Sequence, residues 1–120
     1  MSRIIGDKNY QFVEIVWERE PIHSSELIQL AEEKLGWNKS TSYTVLRRLS
    51  QQDILQNKQS IVTSLVSKEE IKQNEVDHLL NKVFDGSVFS MVSSLTGGKR
   101  LTKQEAKELK RMIDQLEVEE

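Results

Sequence analysis

The residues with the clearest chemical potential lie in the run WNKSTSYTVLRRL, from Trp37 to Leu49. At helical spacing this run divides into two faces. The first face is mostly apolar and comprises Ser42, Val45, Leu46 and Leu49. The opposite face carries hydrogen-bonding groups throughout and comprises Lys39, Ser40, Tyr43, Thr44 and Arg47. Such a face can contact phosphates and base edges, and Asn38 is a suitable N-cap, so the run predicts a helix able to enter a DNA groove by its N-terminal end.

An ordinary solvated surface is the competing interpretation, because most amphipathic helices have polar outer faces. Charge distribution favours the nucleic-acid interpretation. The chain as a whole has a net charge of −2, but residues 38–59 contain four basic residues and only the acidic Asp53. The basic residues are Lys39, Arg47, Arg48 and Lys58. Such a small excess predicts weak, salt-sensitive binding by one module, so two modules are expected to act together.

Three helices and a β-hairpin are predicted around this run, which is the order of a winged helix-turn-helix domain. The helices are predicted over 7–18, 24–34 and 38–52, and the strands over 54–57 and 61–66. Gly36 is expected to end the second helix, and Leu27, Trp17 and Trp37 are expected to pack in the core. Arg47 is a candidate for bidentate bonding to guanine. Arg48, and Lys58 at the tip of the hairpin, are expected to contact phosphates.

Short amphipathic helices are predicted in the second half of the chain. Capping boxes at 67–70 and 102–105 open two of them, and a short apolar segment lies between the breaks at 85–86 and 97–98. These helices are too small to bury their apolar faces on one another, so the sequence predicts a homodimer; a monomer whose helices fold back on the first domain is the alternative. The predicted dimerisation residues are Ile71, Val76, Leu79, Leu80, Val83, Val88, Phe89, Val92, Leu95, Leu109, Met112, Ile113 and Leu116.

The predicted fold is therefore mostly α with a small β-hairpin. A winged helix-turn-helix DNA-binding domain occupies residues 1–66, and a helical dimerisation region occupies residues 67–120. The chain has no cysteine and no apolar run long enough to span a bilayer, which makes a cytoplasmic location the expectation. No metal-ligand cluster, phosphate-binding glycine loop or nucleophile-base arrangement is evident, so we expect neither an enzyme nor a cofactor.

Motifs along nearly the whole chain resemble the penicillinase repressor family of winged-helix transcriptional repressors, which includes BlaI, MecI and CopY. The resemblance is carried by the order and spacing of these motifs together. They are Ile5-Gly6-Asp7, Ile15-Val16-Trp17, Ser25-Glu26-Leu27, Trp37 with the following Thr41, Thr44, Arg48 and Leu49, then Leu55, Leu79-Leu80, Phe84-Asp85-Gly86-Ser87 and Ser90-Met91-Val92.

This resemblance implies a homodimeric repressor that binds a palindromic operator with TACA and TGTA half-sites. It places operator contacts on the third helix, at Lys39, Ser40, Thr41, Tyr43, Thr44 and Arg47. The chain departs from the family pattern at Lys39, where the family usually has proline, at Asp53 before the wing, and at Gln59-Ser60 within it.

The inducing signal is not evident from the sequence. The family's Asn-Phe cleavage bond aligns with Ser94-Leu95, and the cysteines of the copper-responsive branch are absent. His23 and His78 are far apart, which argues against a histidine metal site. A sensor protease that cuts elsewhere in the 89–95 segment is a candidate partner. An adaptor that binds proteins rather than DNA is the alternative function, because winged helices also serve as protein-binding modules.

Overall fold

The computed structural model describes residues 4–97 and 101–116, and the chain divides into two compact units, Met1–Val76 and Asp77–Glu120. The described elements confirm the predicted fold class of a winged helix-turn-helix protein with further helices. Helices are α1 (Asp7–Arg19), α2 (Ser24–Leu35), α3 (Lys39–Gln51), α4 (Lys68–Phe84), α5 (Val88–Gly97) and α6 (Lys103–Gln115). Strands are β1 (Ile22–His23), β2 (Leu55–Lys58) and β3 (Ile61–Ser64).

The core of the first unit lies where α1, α2 and α3 pack together against the sheet. Phe12, Leu27 and Leu49 are among its largest fully buried side chains. The ring of Trp37 stacks on Phe12 with centroids 5.4 Å apart, and Trp17 meets Tyr10 edge to face at 5.5 Å. Both tryptophans therefore contribute to packing, as the sequence predicts.

The connection between α2 and α3 is set by two local capping residues. Gly36 adopts the left-handed conformation, with φ of 71°, and the backbone N–H of Trp37 donates to the carbonyl of Ala31. Asn38 then caps α3, because its Oδ1 accepts from the backbone N–H of Thr41 at 2.8 Å. Both predicted caps are confirmed, and together they fix where the polar face of α3 begins.

The sheet has three antiparallel strands in the order β1-β3-β2, whereas the sequence predicts only a hairpin. The additional strand, β1, pairs Ile22 with Val62 and His23 with Ile61. It has only two residues, so its own sequence gives no periodic signal, and it exists through its long-range pairing with β3. The β2–β3 loop is also shorter than predicted: it contains only Gln59 and Ser60, both with positive φ as in a type I′ turn.

Two contacts anchor β3 and the turn before it to residues 20–24, where α2 begins. The backbone N–H of Ser24 donates to the carbonyl of Ser60 at 2.8 Å. The carboxylate of Glu20 accepts from the backbone N–H of Ser64 at 2.9 Å, and from its hydroxyl. The wing, which we define as β2, β3 and their turn, is thereby joined to the helix-turn-helix.

The start of α4 also belongs to the first unit. Ser67 Oγ accepts from the backbone N–H of Glu70, Lys68 lies 3.6 Å from the carboxylate of Glu14 on α1, and Ile71 is fully buried. Just before the helix, Trp17 Nε1 donates to the carbonyl of Val66 at 3.0 Å. The first turn of α4 is therefore held by contacts with α1.

The second unit contains the rest of α4, together with α5 and α6. Asp85 and Gly86 have positive φ and separate α4 from α5 at the predicted break. Thr102 and Glu105 form the predicted capping box of α6, each side chain accepting from the other's backbone N–H. The predicted break at 97–98 falls partly outside the described residues, because Gly97 ends α5 and Gly98 is not described.

Candidate DNA-binding interface

The outward face of α3 is exposed to solvent. Its buried positions are Ser42, Val45, Leu46 and Leu49, which are the four that the sequence assigns to the inner face. All seven α3 residues predicted to contact DNA are exposed, namely Lys39, Ser40, Thr41, Tyr43, Thr44, Arg47 and Arg48. The local fold therefore separates a packing face from a polar face on one helix.

The basic groups on this surface have no acidic partner in the part of the chain that the structure describes. No carboxylate lies within 4.0 Å of the charged nitrogens of Lys39, Arg47, Arg48 or Lys58 in that part. One hydroxyl is partly used, since Ser40 Oγ donates to Asn38 Oδ1 at 2.9 Å. Cations without a partner lose no internal ion pair when they bind a phosphate, so this surface is suited to a polyanion.

Grooves flank α3, and some of the residues that line them were not predicted from the sequence to contact DNA. On one side, a groove of about 300 Å³ between α2 and α3 is lined by Ser25 and Gln29 together with Lys39 and Tyr43. On the other, a groove of about 320 Å³ between α3 and β2 places Asn57 opposite Arg47 and Tyr43. The helix-turn-helix order could have indicated the α2 residues, because the first helix of such a pair crosses the DNA backbone. No local pattern indicates Asn57.

Lys58 lies beside the wing turn as the last residue of β2, where it pairs with Ile61. In the sheet register His23, Ile61 and Lys58 stand side by side across the three strands. All three are exposed, so the end of the sheet nearest the turn presents a cation to solvent. The side chain of Lys58 is therefore accessible for the predicted phosphate contact.

The residues predicted for dimerisation differ in burial. Ile71 is fully buried in the core of the first unit, and this position leaves its side chain no surface for a second copy. The other twelve are not buried, and Phe89 is 81% exposed. No residue of the second unit is buried within 77–97 and 101–116. So many exposed large apolar side chains are unusual on a surface that meets only water.

Three features together define a winged-helix DNA-binding protein: a capped helix with an exposed polar face, a neighbouring helix and an anchored wing. Residues 5–115 match the family described as "Penicillinase repressor", and the chain belongs to this family. It is a DNA-binding transcriptional repressor and not an enzyme. The family membership thus favours the repressor over the adaptor. Within the described residues, no helix is long and apolar enough to cross a membrane.

Curated relatives agree with this assignment at low identity. The chain is 23% identical over 114 residues to the methicillin resistance regulatory protein MecI of Staphylococcus aureus (strain Mu50), covering 92% of this chain and 93% of that protein. It is 22% identical to MecI of Mammaliicoccus sciuri with the same coverage. It is 21% identical over 115 residues to the penicillinase repressor of Bacillus licheniformis, covering 92% and 90% of the two chains.

Proposed function

We propose that the chain acts as a homodimer that binds a palindromic operator with TACA- and TGTA-like half-sites, one α3 helix reading each half-site. The observation that carries this proposal is the exposed basic and hydroxyl-bearing face of α3, whose opposite face is buried in the core. Its target is chromosomal or plasmid DNA, so we propose a cytoplasmic location.

The proposed contacts divide by chemistry. Arg47 and Thr44 reach base edges in the major groove, where a guanidinium bonds guanine and a threonine methyl contacts thymine. Arg48 and Lys58 contact phosphates, which position the domain without reading sequence. Lys39, Ser40, Thr41 and Tyr43 lie on the same exposed face and complete the surface.

Dimerisation is proposed for the helical region 67–120, through a contact surface that begins at Val76. The exposure of Phe89, Val83 and Val88 supports this, because isolated copies would leave these side chains in water. A two-fold dimer also presents two α3 helices to a palindrome, which compensates for the small positive charge of each module. Removing either copy would then cost most of the operator affinity.

The test is fluorescence anisotropy with a labelled TACA/TGTA palindrome at two salt concentrations. Wild-type protein is expected to bind it in a salt-sensitive manner and in preference to a scrambled duplex. Arg47→Ala is expected to weaken operator binding by about 1 to 3 kcal/mol and to relax base preference in each half-site. Arg19→Ala is the matched control, because it removes an exposed arginine from α1 in the same unit. Equal losses for the two variants, or equal binding to both duplexes, would contradict the proposal.

Release from the operator is proposed to involve cleavage by a sensor protease within the 89–95 segment. Phe89 is 81% exposed and Leu95 is 44% exposed in the single chain, and both belong to the proposed dimer surface. A cut between them would sever α5 and weaken the dimer. If the operator is released on induction while mass spectrometry finds the chain intact, the signal acts without proteolysis.

A further inference from the structure

Asn57, in the groove between α3 and the wing, has no role in the contacts described so far. The groove has a volume of about 320 Å³ and is lined by Tyr43, Leu46, Arg47, Ser50 and Asn57. Its walls come from two elements that are expected to lie on different sides of one DNA strand. We propose that this groove binds a backbone phosphate of the operator, held by the side-chain amide of Asn57; the inference rests on the DNA docking proposed above.

Strand register explains why Asn57 points toward α3. Asn57 pairs with Val62, whose side chain is fully buried, so the two residues lie on the core-facing side of the sheet. Asn57 is nevertheless exposed, and it lies on β2, an edge strand of the sheet. Its neighbour Gln56 lies on the opposite side of the sheet, since successive strand residues alternate. The strand thus directs one amide toward α3 and the next away from it.

The polar groups of the groove differ in their availability. Ser50 is already engaged, because its Oγ donates to the carbonyl of Leu46 at 2.7 Å. Within the described residues, no hydrogen bond or ion pair engages the side chains of Asn57, Tyr43 or Arg47. The groove therefore offers an amide N–H, a phenolic O–H and a guanidinium. No acidic residue lines it, so the available groups favour an anion.

Duplex geometry identifies that anion. The major and minor grooves of DNA are separated by a sugar–phosphate backbone, so a strand must pass between a helix in the major groove and a wing on its flank. The gap between α3 and β2 is this passage. Donors on both walls, at Asn57 and Tyr43, can reach the two free oxygens of one phosphate, while Arg47 at the rim supplies charge.

The experiment measures binding to the TACA/TGTA palindrome and to a series in which one phosphate at a time is replaced by an uncharged methylphosphonate. Asn57→Ala removes a hydrogen bond to a charged group from both copies of the proposed dimer, so it is expected to lose about tenfold in affinity per half-site, or about a hundredfold for the unmodified duplex. Asn57→Asp is expected to lose more, because its carboxylate repels the phosphate. Gln56→Ala, on the other side of the same strand, is the matched control and is expected to bind as wild type.

The decisive result is whether the effects of Asn57→Ala and of a methylphosphonate on operator affinity depend on each other. A methylphosphonate at one position in each half-site should weaken binding by the wild-type protein much more than binding by Asn57→Ala. Equal affinities of Asn57→Ala and Gln56→Ala would overturn the phosphate site, as would full sensitivity of Asn57→Ala to every methylphosphonate. An altered base preference of Asn57→Ala would also overturn it, in favour of a base contact. Failure of the wild-type protein to bind any duplex would instead reject the proposed docking itself.

Discussion

The buried hydroxyl of Ser42 has no hydrogen-bond partner among the residues that the structure describes, and its removal should stabilise the protein. The side chain is fully buried on the inner face of α3. An unsatisfied buried hydroxyl costs about 1 to 3 kcal/mol, whereas deleting one small packed atom costs about 1 kcal/mol. Ser42→Ala is therefore expected to raise the free energy of unfolding by about 1 kcal/mol.

Ser50 provides a matched control on the same helix, because its hydroxyl donates to the carbonyl of Leu46 at 2.7 Å. Ser50→Ala makes the same change in helix propensity but should lower the free energy of unfolding by about 1 kcal/mol. Urea unfolding at one protein concentration should separate the two midpoints by about 1 M if the m-value is near 2 kcal/mol per M. Equal or reversed midpoints would refute the argument that the Ser42 hydroxyl is unsatisfied.

Three further changes have defined outcomes. Trp17→Phe keeps an aromatic ring but removes the bond from Nε1 to the carbonyl of Val66, so thermal unfolding should report a loss of about 1 kcal/mol. Gly36→Ala places a Cβ at φ of 71° and should cost about 1 to 2 kcal/mol, whereas Gly36→Asn should cost less in the same assay. Phe89→Ala should weaken dimerisation by about a hundredfold in sedimentation, since an 81% exposed ring in each copy becomes buried at the proposed interface; an unchanged dimer dissociation constant would exclude it from that interface.

The parts of the fold that follow from short-range chemistry could be predicted from the sequence. Asn38 and Gly36 are confirmed as caps because each acts within a few residues of its own position. The two faces of α3 are also confirmed, since a regular apolar spacing determines which side is buried. These local features suffice to place the exposed polar residues on one helix, namely Lys39, Ser40, Thr41, Tyr43, Thr44, Arg47 and Arg48.

Features created by distant contacts could not be predicted. Strand β1 exists because Ile22 and His23 pair with β3, about forty residues later in the chain. Ile71 has the apolar character expected of a dimer contact, yet its burial in the first unit depends on α1 being nearby. Asn57 likewise becomes a candidate contact only when strand register directs it toward α3. In each case, the decisive information is the position of another element.

The anchoring of the wing predicts a small ordering cost for DNA binding. Because β1 and the Ser24–Ser60 hydrogen bond join the wing to the start of α2, we expect these elements to be ordered before DNA binds. Proteins that fold on binding show a large negative heat-capacity change from the surface they bury within themselves. Here the first unit should contribute to the heat-capacity change only through the surface that it buries against DNA. Calorimetry should therefore measure a heat-capacity change that this contact area alone accounts for.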